Sequence, residues 1–400
     1  MIKKLKFDYF LNNKLKSFLH KLLKKITYGN LNVQYPDGYK YQYKGLNKGI
    51  SVEITLNNYK LIKNILLKGN IGFGESYINK DFNTSNLTNL IELIIQNKKS
   101  FQNISNGNIL YRFFQQYIHY QNNNSIKNSV NNISFHYDLG NEFYKQWLDD
   151  TMSYSSALYD EKMQDLKIAQ LNKYERLLKI LKPSENSKIL EIGCGWGSLA
   201  TYFAKNTNAH ITAVTISKEQ FEHVSNNIFN EGLNENIKVE LKDYRNINKQ
   251  FDSIISVEMF EAVGQKYWSL FFNKLKNNLK LHGKAALQVI TIDDDLFENY
   301  KKRPDFIQKY IFPGGMLPSK KIFRNLIYNE GLLIDDEYDF AHSYAKTLNE
   351  WNKRFQNSWP EISKQGFNSY FKRMWEYYFS YCEGGFKAKS IDISQFLLIK

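Results

Sequence analysis

The sequence predicts an α/β protein: a doubly wound, mostly parallel sheet in the second half of the chain, preceded by a smaller α+β domain. Three features point there. Strand and helix patterns alternate through the second half, and a glycine-rich turn follows the first of those strands. The opening third instead shows an amphipathic stretch and short alternating runs.

Residues 1–26 place Leu11, Leu15, Phe18, Leu19, Leu22, Leu23 and Ile26 at steps of three and four with lysines between them, a basic amphipathic helix. It suits either packing on its own domain or anchoring at a bilayer surface. Residues 30–82 carry short alternating runs such as Gly49 to Leu56, punctuated by Gly and Asn, as in a small α+β unit. The longest apolar run, Leu87 to Ile95, is about half of the ~20 residues a spanning helix requires, so any membrane contact is expected at the surface. From about Asn103 to Asn132 the chain turns rich in Asn, Gln and Ser, which predicts a linker dividing 1–120 from 121–400. Beyond it, strands are read at Lys188 to Ile192, Ile211 to Ile216, Ile237 to Leu241, Phe251 to Val257 and Ala285 to Ile290. Helices at Gly197 to Lys205 and Lys218 to Glu231 separate the first three, and strands so spaced pair in parallel.

A chain that is 42% apolar and 24% charged folds, and its 28 Tyr and 28 Phe leave aromatic surface to spare. Lysine and arginine outnumber the acids by 54 to 40, and a net charge of +14 draws the protein to a polyanion, nucleic acid or an anionic bilayer. No recognition motif or arginine-rich stripe supports nucleic acid. Two cysteines, Cys194 and Cys382, make no disulfide framework, and no basic, apolar leader opens the chain, so a reducing cytoplasmic compartment is expected. No metal is expected. The oligomeric state is not readable, and a homodimer stands as an open alternative.

The first predicted strand runs into Glu191-Ile-Gly-Cys-Gly-Trp-Gly197, where Gly193, Gly195 and Gly197 let backbone approach a ligand; tight helix packing alone would also explain Gly197. A dinucleotide fingerprint would put an acid at the end of the second strand, but that strand ends Val214-Thr-Ile-Ser217. The acids instead precede the glycines, at Glu191, and follow the third strand, at Asp243. That arrangement suits S-adenosylmethionine, whose sulfonium and ammonium a carboxylate offsets.

The ordered motifs His136-Tyr-Asp-Leu-Gly140, Met152-Ser-Tyr-Ser-Ser156, EIGCGWGSLA from 191, VTISKEQ from 214, SVEMFEAVG from 256, YIFPGGMLPS from 310 and Tyr381-Cys-Glu-Gly-Gly-Phe386 together resemble the cyclopropane fatty acid synthase family. The likeness is strong over about residues 130–400, and the amino-terminal part is similar to the extra domain of the phospholipid-acting bacterial members. The resemblance implies a Rossmann-like methyltransferase that moves a methyl group from S-adenosylmethionine to the double bond of an unsaturated acyl chain. It implies that Tyr154, Ser155, Glu191, Gly193, Gly195, Gly197, Thr215, Ser217, Gln220, Asp243 and Tyr244 line the cofactor. Glu261 would be the active-site carboxylate, with His136 and Tyr344 around the reacting chain and its bound anion. Read singly, His136 could be a hydrogen-bonded core residue and Glu261 a helix cap. Cys382 stands where the family's assignments often place an active-site cysteine, although alkene methylation needs no thiolate and its chemistry favours packing.

Cyclopropane-forming members hold a bicarbonate ion that removes a proton from the methylated intermediate, and two of its usual supports differ here. Ser156 stands in place of a cysteine and Gln288 in place of a histidine. Both can hydrogen-bond an anion. The product implied is a cyclopropane, or a methyl-branched or methylene chain if proton removal is weakened. The partners implied are unsaturated phospholipids at an anionic membrane, met peripherally from the cytoplasmic face. A small-molecule acceptor and a lipid-binding protein with a decayed cofactor site are the rival readings, the latter opposed by intact Glu191, Gly193, Gly195 and Glu261.

Overall fold

The computed structural model describes residues 2–105, 124, 128–129, 139–160 and 165–400. His136 and most of the expected linker lie outside the described residues. The chain forms two compact units. One comprises Met1–Ile118 with Arg303–Ile307 and Gly366–Ser390; the other comprises His119–Lys302, Gln308–Gln365 and Ile391–Lys400. The first unit thus takes in two segments that a single cut near residue 120 assigns to the catalytic half.

In the first unit, strands β1 (Tyr28–Gln34), β2 (Lys40–Lys44), β3 (Asn47–Leu56) and β4 (Phe82–Thr84) form a sheet in the order β2-β1-β3-β4. Leu15, Leu19, Leu23 and Ile26, on and just after the helix Ile2–Leu23, are buried in one core with Leu31, Val33, Val52 and Ile54 of that sheet. Most of the amphipathic stripe is therefore spent on its own domain, with Leu11 and Leu22 partly buried against the same core and Phe18 exposed. Leu19→Ala is expected to cost about 2–5 kcal/mol, the usual penalty for a buried leucine cut to alanine, read by denaturant unfolding; a loss below about 0.5 kcal/mol would place that face outside the core. The apolar run of the sequence forms the helix Leu87–Gln96, whose Asn86 cap accepts from the Asn89 amide at 2.8 Å. Thr88 on that helix donates to Glu383 of the helix Ser369–Lys387 at 2.8 Å. Cys382 lies on the same helix, in this unit, where burial pushes its thiol well above the ordinary range. A thiol held protonated is no nucleophile.

Among the described residues the second unit is built on seven strands: β5 (Lys188–Ile192), β6 (His210–Thr215), β7 (Ile237–Leu241), β8 (Phe251–Val257), β9 (Leu279–Ile292), β10 (Leu333–Asp339) and β11 (Ile391–Ile399). Their order is β10-β11-β9-β8-β5-β6-β7, with β9 to β7 all parallel and the β11 and β10 pairings antiparallel. The sheet is the doubly wound, mostly parallel one expected, and the two faces bury separate apolar cores, one around Phe260, Phe271 and Phe323, the other around Leu177, Phe203 and Ile211. Strands β10 and β11 were not foreseen. Leu333–Asp339 carries three aspartates and a glutamate, a charged edge that discourages further pairing and hides its strand character. Among the described residues no helix is long and apolar enough to cross a membrane.

Candidate active site

The order of the sheet reverses between β5 and β8: one continues to β6 and β7, the other to β9 and β11. Their carboxyl ends flank the crevice where open α/β sheets bind ligands. From β5 comes the glycine loop, in which the amides of Gly193 and Cys194 both donate to the Val214 carbonyl, at 3.0 and 3.1 Å. Gly193, Gly195 and Gly197 take φ values of +81°, +53° and +88°. At Gly195 a Cβ would meet nothing within 4 Å, so a ligand can approach that backbone; at Gly197 it would lie 2.9 Å from Val224.

Glu191, on β5, is 4% exposed and lies beside Leu199, Ala200 and Phe203. Its Oε2 has no hydrogen-bond partner, and burial pushes its carboxyl up to about 8. At the end of β6, Thr215 donates to the Gln220 side-chain oxygen at 2.8 Å, and Ser217 caps the next helix by accepting from the Gln220 amide at 3.3 Å. S-adenosylmethionine fits this set: a buried acid with one oxygen unpartnered for its positive charge, a glycine cradle, and a polar strand end. Asp243 is otherwise engaged, its two carboxylate oxygens accepting from Arg245 at 2.9 and 2.6 Å, while Tyr244 packs its ring on Phe271. Arg245 also donates to the Asn124 carbonyl and to Ser129, both at 3.0 Å, so this pair ties down a separate segment of chain.

The second constellation centres on Glu258, the residue after β8, which sequence reasoning passed over. Its Oε1 accepts from the Ser156 amide and from Gln288 Nε2, both at 2.8 Å, and its Oε2 accepts from the Tyr344 hydroxyl at 2.6 Å. Three predicted residues therefore converge on one unpredicted carboxylate. Gln288 is held in the donating orientation by a chain of directed bonds: Asp336 accepts from Arg176 at 2.6 Å, Arg176 donates to the Gln395 side-chain oxygen at 2.8 Å, and Gln395 donates to the Gln288 oxygen at 2.9 Å. Fully buried Lys173, also unforeseen among so many lysines, donates to Ser155 Oγ at 2.7 Å and Gln170 at 2.6 Å. Burial lowers its ammonium to about 8, opposed by the charges of Glu258, Asp149 and Glu191.

Glu261 turns elsewhere. Its Oε1 accepts from the Ile290 amide of β9, its buried Oε2 has no hydrogen-bond partner, and burial with the nearby Glu258 charge pushes it up to about 8. Beside this cluster, Tyr154 packs among Trp147, Trp351 and Tyr144 with ring centroids 5.3, 5.4 and 5.5 Å away, and Trp351 meets Tyr344 at 6.1 Å. Carboxylates and aromatic faces together form a place suited to a transient cation.

The pH dependence follows from Glu191 and Glu261. Both are raised from 4.5 to about 8, so the folded chain binds more protons than the unfolded one between those values. Their contribution is whole below about pH 4.5 and is lost as pH rises through about 8. The melting temperature of the protein alone is expected to fall from pH 5 to pH 8. If binding a cationic ligand ionises Glu191, calorimetry at pH 7 in buffers of differing ionisation enthalpy is expected to show proton release; no release would mean that the acid is already charged or takes no part.

A family model described as "Mycolic acid cyclopropane synthetase" matches residues 124–396, and one described only as a domain of unknown function, DUF7884, matches residues 18–106. The chain is 34% identical to tuberculostearic acid methyltransferase UfaA1 of Mycobacterium tuberculosis over 348 residues, covering 85% of this chain and 81% of that one. It is 33% identical to the cyclopropane-fatty-acyl-phospholipid synthase of Escherichia coli K12 over 360 residues, 88% of each. The crystal structure of the mycolic acid cyclopropane synthase CmaA1 with SAH and CTAB superimposes with a TM-score of 0.64 at 26% identity, covering 68% of this chain and 98% of that one.

Proposed function

The chain belongs to the mycolic acid cyclopropane synthetase family, and from that premise we propose that it transfers the methyl group of S-adenosylmethionine to the cis double bond of unsaturated acyl chains in membrane phospholipids, closing a cyclopropane ring. The observation that carries this reading is the pairing, at the carboxyl ends of β5 and β8, of two groups: a buried acid with an unpartnered oxygen just before a glycine loop, and a buried carboxylate held by three donors near a group of aromatic rings.

Glu191, the glycine loop and the Thr215–Gln220 network hold the donor. S-adenosylmethionine, when bound, supplies an electrophilic methyl group. An alkene is a weak nucleophile, so it must be held in line about 3–3.5 Å from that methyl with water excluded. Tyr154, Trp351 and Tyr344 offer faces and Glu261 an open acceptor to the positive charge that moves from sulfur to carbon, each face contributing roughly 0.5–2 kcal/mol. The net charge of +14 favours an anionic bilayer surface, to which the chain binds peripherally from the cytoplasmic side.

The test is incubation with methyl-labelled donor and vesicles of mono-unsaturated phospholipid, with and without anionic headgroups. Label in the lipid, greater on anionic vesicles, supports the reading; a folded, donor-binding protein that leaves the lipid unlabelled overturns it. A second ending, a methylene or methyl-branched chain, is favoured by the likeness to a tuberculostearic acid methyltransferase and by Ser156 and Gln288. A methylene needs only a hydride shift before proton loss, whereas a methyl branch also needs hydride from a separate reductant. NMR of the labelled fatty acid separates ring from methylene and branch.

A further inference from the structure

The bicarbonate ion that the resemblance implies does not fit at the expected position. The Ser156 amide, the Gln288 amide nitrogen and the Tyr344 hydroxyl, the donors left to hold such an ion, all donate to the side chain of Glu258. We propose that the Glu258 carboxylate takes the place of that ion and is the base that removes the proton from the methylated acyl chain. This rests on the methyl transfer proposed above and adds the identity of its base.

Four observations carry it. The carboxylate has a bicarbonate's charge and a similar planar pair of oxygens, and both oxygens are hydrogen-bonded by groups from three separate segments of the unit. The directed chain through Arg176, Gln395 and Gln288 ends in a donor aimed at Glu258, which accepts at 2.8 Å, well inside that nitrogen's other bond of 3.4 Å to the Ser156 carbonyl. Glu258 has φ +48°, a left-handed conformation that a non-glycine residue keeps only where its surroundings impose it, and its amide is fixed by a 2.8 Å bond to the Gln288 carbonyl. Finally, burial raises the Glu258 carboxyl above the ordinary carboxylate range, which makes it a better proton acceptor, while its bonds from Tyr344, Gln288 and Ser156 and the buried charge of Lys173 oppose that rise.

In the step itself, a C–H bond of the transferred methyl breaks. Its electron pair forms the third side of the ring at the cationic carbon, and the proton passes to a Glu258 oxygen. If a hydride shift comes first, the same proton loss leaves a methylene. No further reagent is consumed, and the proton returns to solvent between turnovers.

The experiment compares the wild type, Glu258→Gln and Glu258→Gly in buffers purged of carbon dioxide and in buffers with 20 mM sodium bicarbonate, a roughly chosen excess, reading methylated lipid and binding of S-adenosylhomocysteine. The wild type is expected to turn over equally in both buffers. Glu258→Gln is expected to lose at least about 100-fold in product while binding S-adenosylhomocysteine within a few-fold of wild type, the scale of removing one preorganised catalytic group. Glu258→Gly suits the positive φ, keeps the fold if the glutamine variant does not, and empties a pocket still lined by the three donors; added bicarbonate is expected to restore its activity at least tenfold. A wild type that transfers methyl groups only when bicarbonate is added overturns the inference alone, as do variants that match the wild type in purged buffer. A wild type that transfers no methyl group overturns the proposed function and this inference with it.

Discussion

Replacing Lys173 with methionine is expected to destabilise the second unit by about 3–5 kcal/mol, the cost of removing one member of a buried charged group. Methionine keeps most of the volume, so packing contributes little. The loss comes from Ser155 Oγ and Gln170, which lose a donor, and from Glu258 and Asp149, which lose the positive charge that offsets them. Denaturant unfolding at pH 7 reads the size, and the dependence on pH reads the cause. In the wild type the ammonium is lowered from 10.5 to about 8, so the unfolded chain binds more protons between those values and stability rises with pH there. That rise should be missing from the variant. Unchanged stability, or a rise that persists, would mean that the lysine is not the cation the geometry makes it.

Gly197→Val carries the second large effect. The position has φ +88°, and a Cβ would sit 2.9 Å from one methyl of Val224 and 3.0 Å from the other. A β-branched residue cannot relax there by changing rotamer, because the first side-chain atom is already in collision. Backbone strain of about 1–3 kcal/mol adds to an overpacking cost of similar size. Because Gly197 also begins the helix Ser198–Asn206 and its amide closes the glycine turn on the Cys194 carbonyl, the loop must shift. S-adenosylhomocysteine binding is expected to weaken at least about 100-fold, a loss of roughly 3 kcal/mol, and the melting temperature to drop. Tight binding retained at wild-type level would separate the turn from the ligand site.

The parallel strands were legible because each is a short apolar run closed by polar or glycine residues, and the glycine turn because its spacing leaves few other uses. The antiparallel end of the sheet was not: β10 hides under four acids, and β9 begins at Leu279, six residues before the run that marks it. The membership of Cys382 in the first unit depends on contacts between segments almost 300 residues apart, which no local pattern records. At the site, Ser156, Gln288 and Tyr344 were named from motif resemblance and do converge, but on Glu258 rather than Glu261. Two acids three residues apart in SVEMFEAVG look alike in sequence. The signal that separates them is position: Glu258 is the first residue beyond β8, at the reversal of the sheet, whereas Glu261 falls one turn later and folds back toward the β9 backbone.

The one-way run of amides through Gln395 and Gln288 constrains how such a protein can change. A leucine arriving at 288 alone would strand the Gln395 amide nitrogen, and a glycine arriving at 258 alone would leave that of Gln288 with only its long 3.4 Å bond to the Ser156 carbonyl. Each single exchange passes through a less fit intermediate, while the paired exchange need not. The two sites are therefore epistatic, and a lineage moving between a built-in carboxylate and a borrowed anion is expected to switch them together.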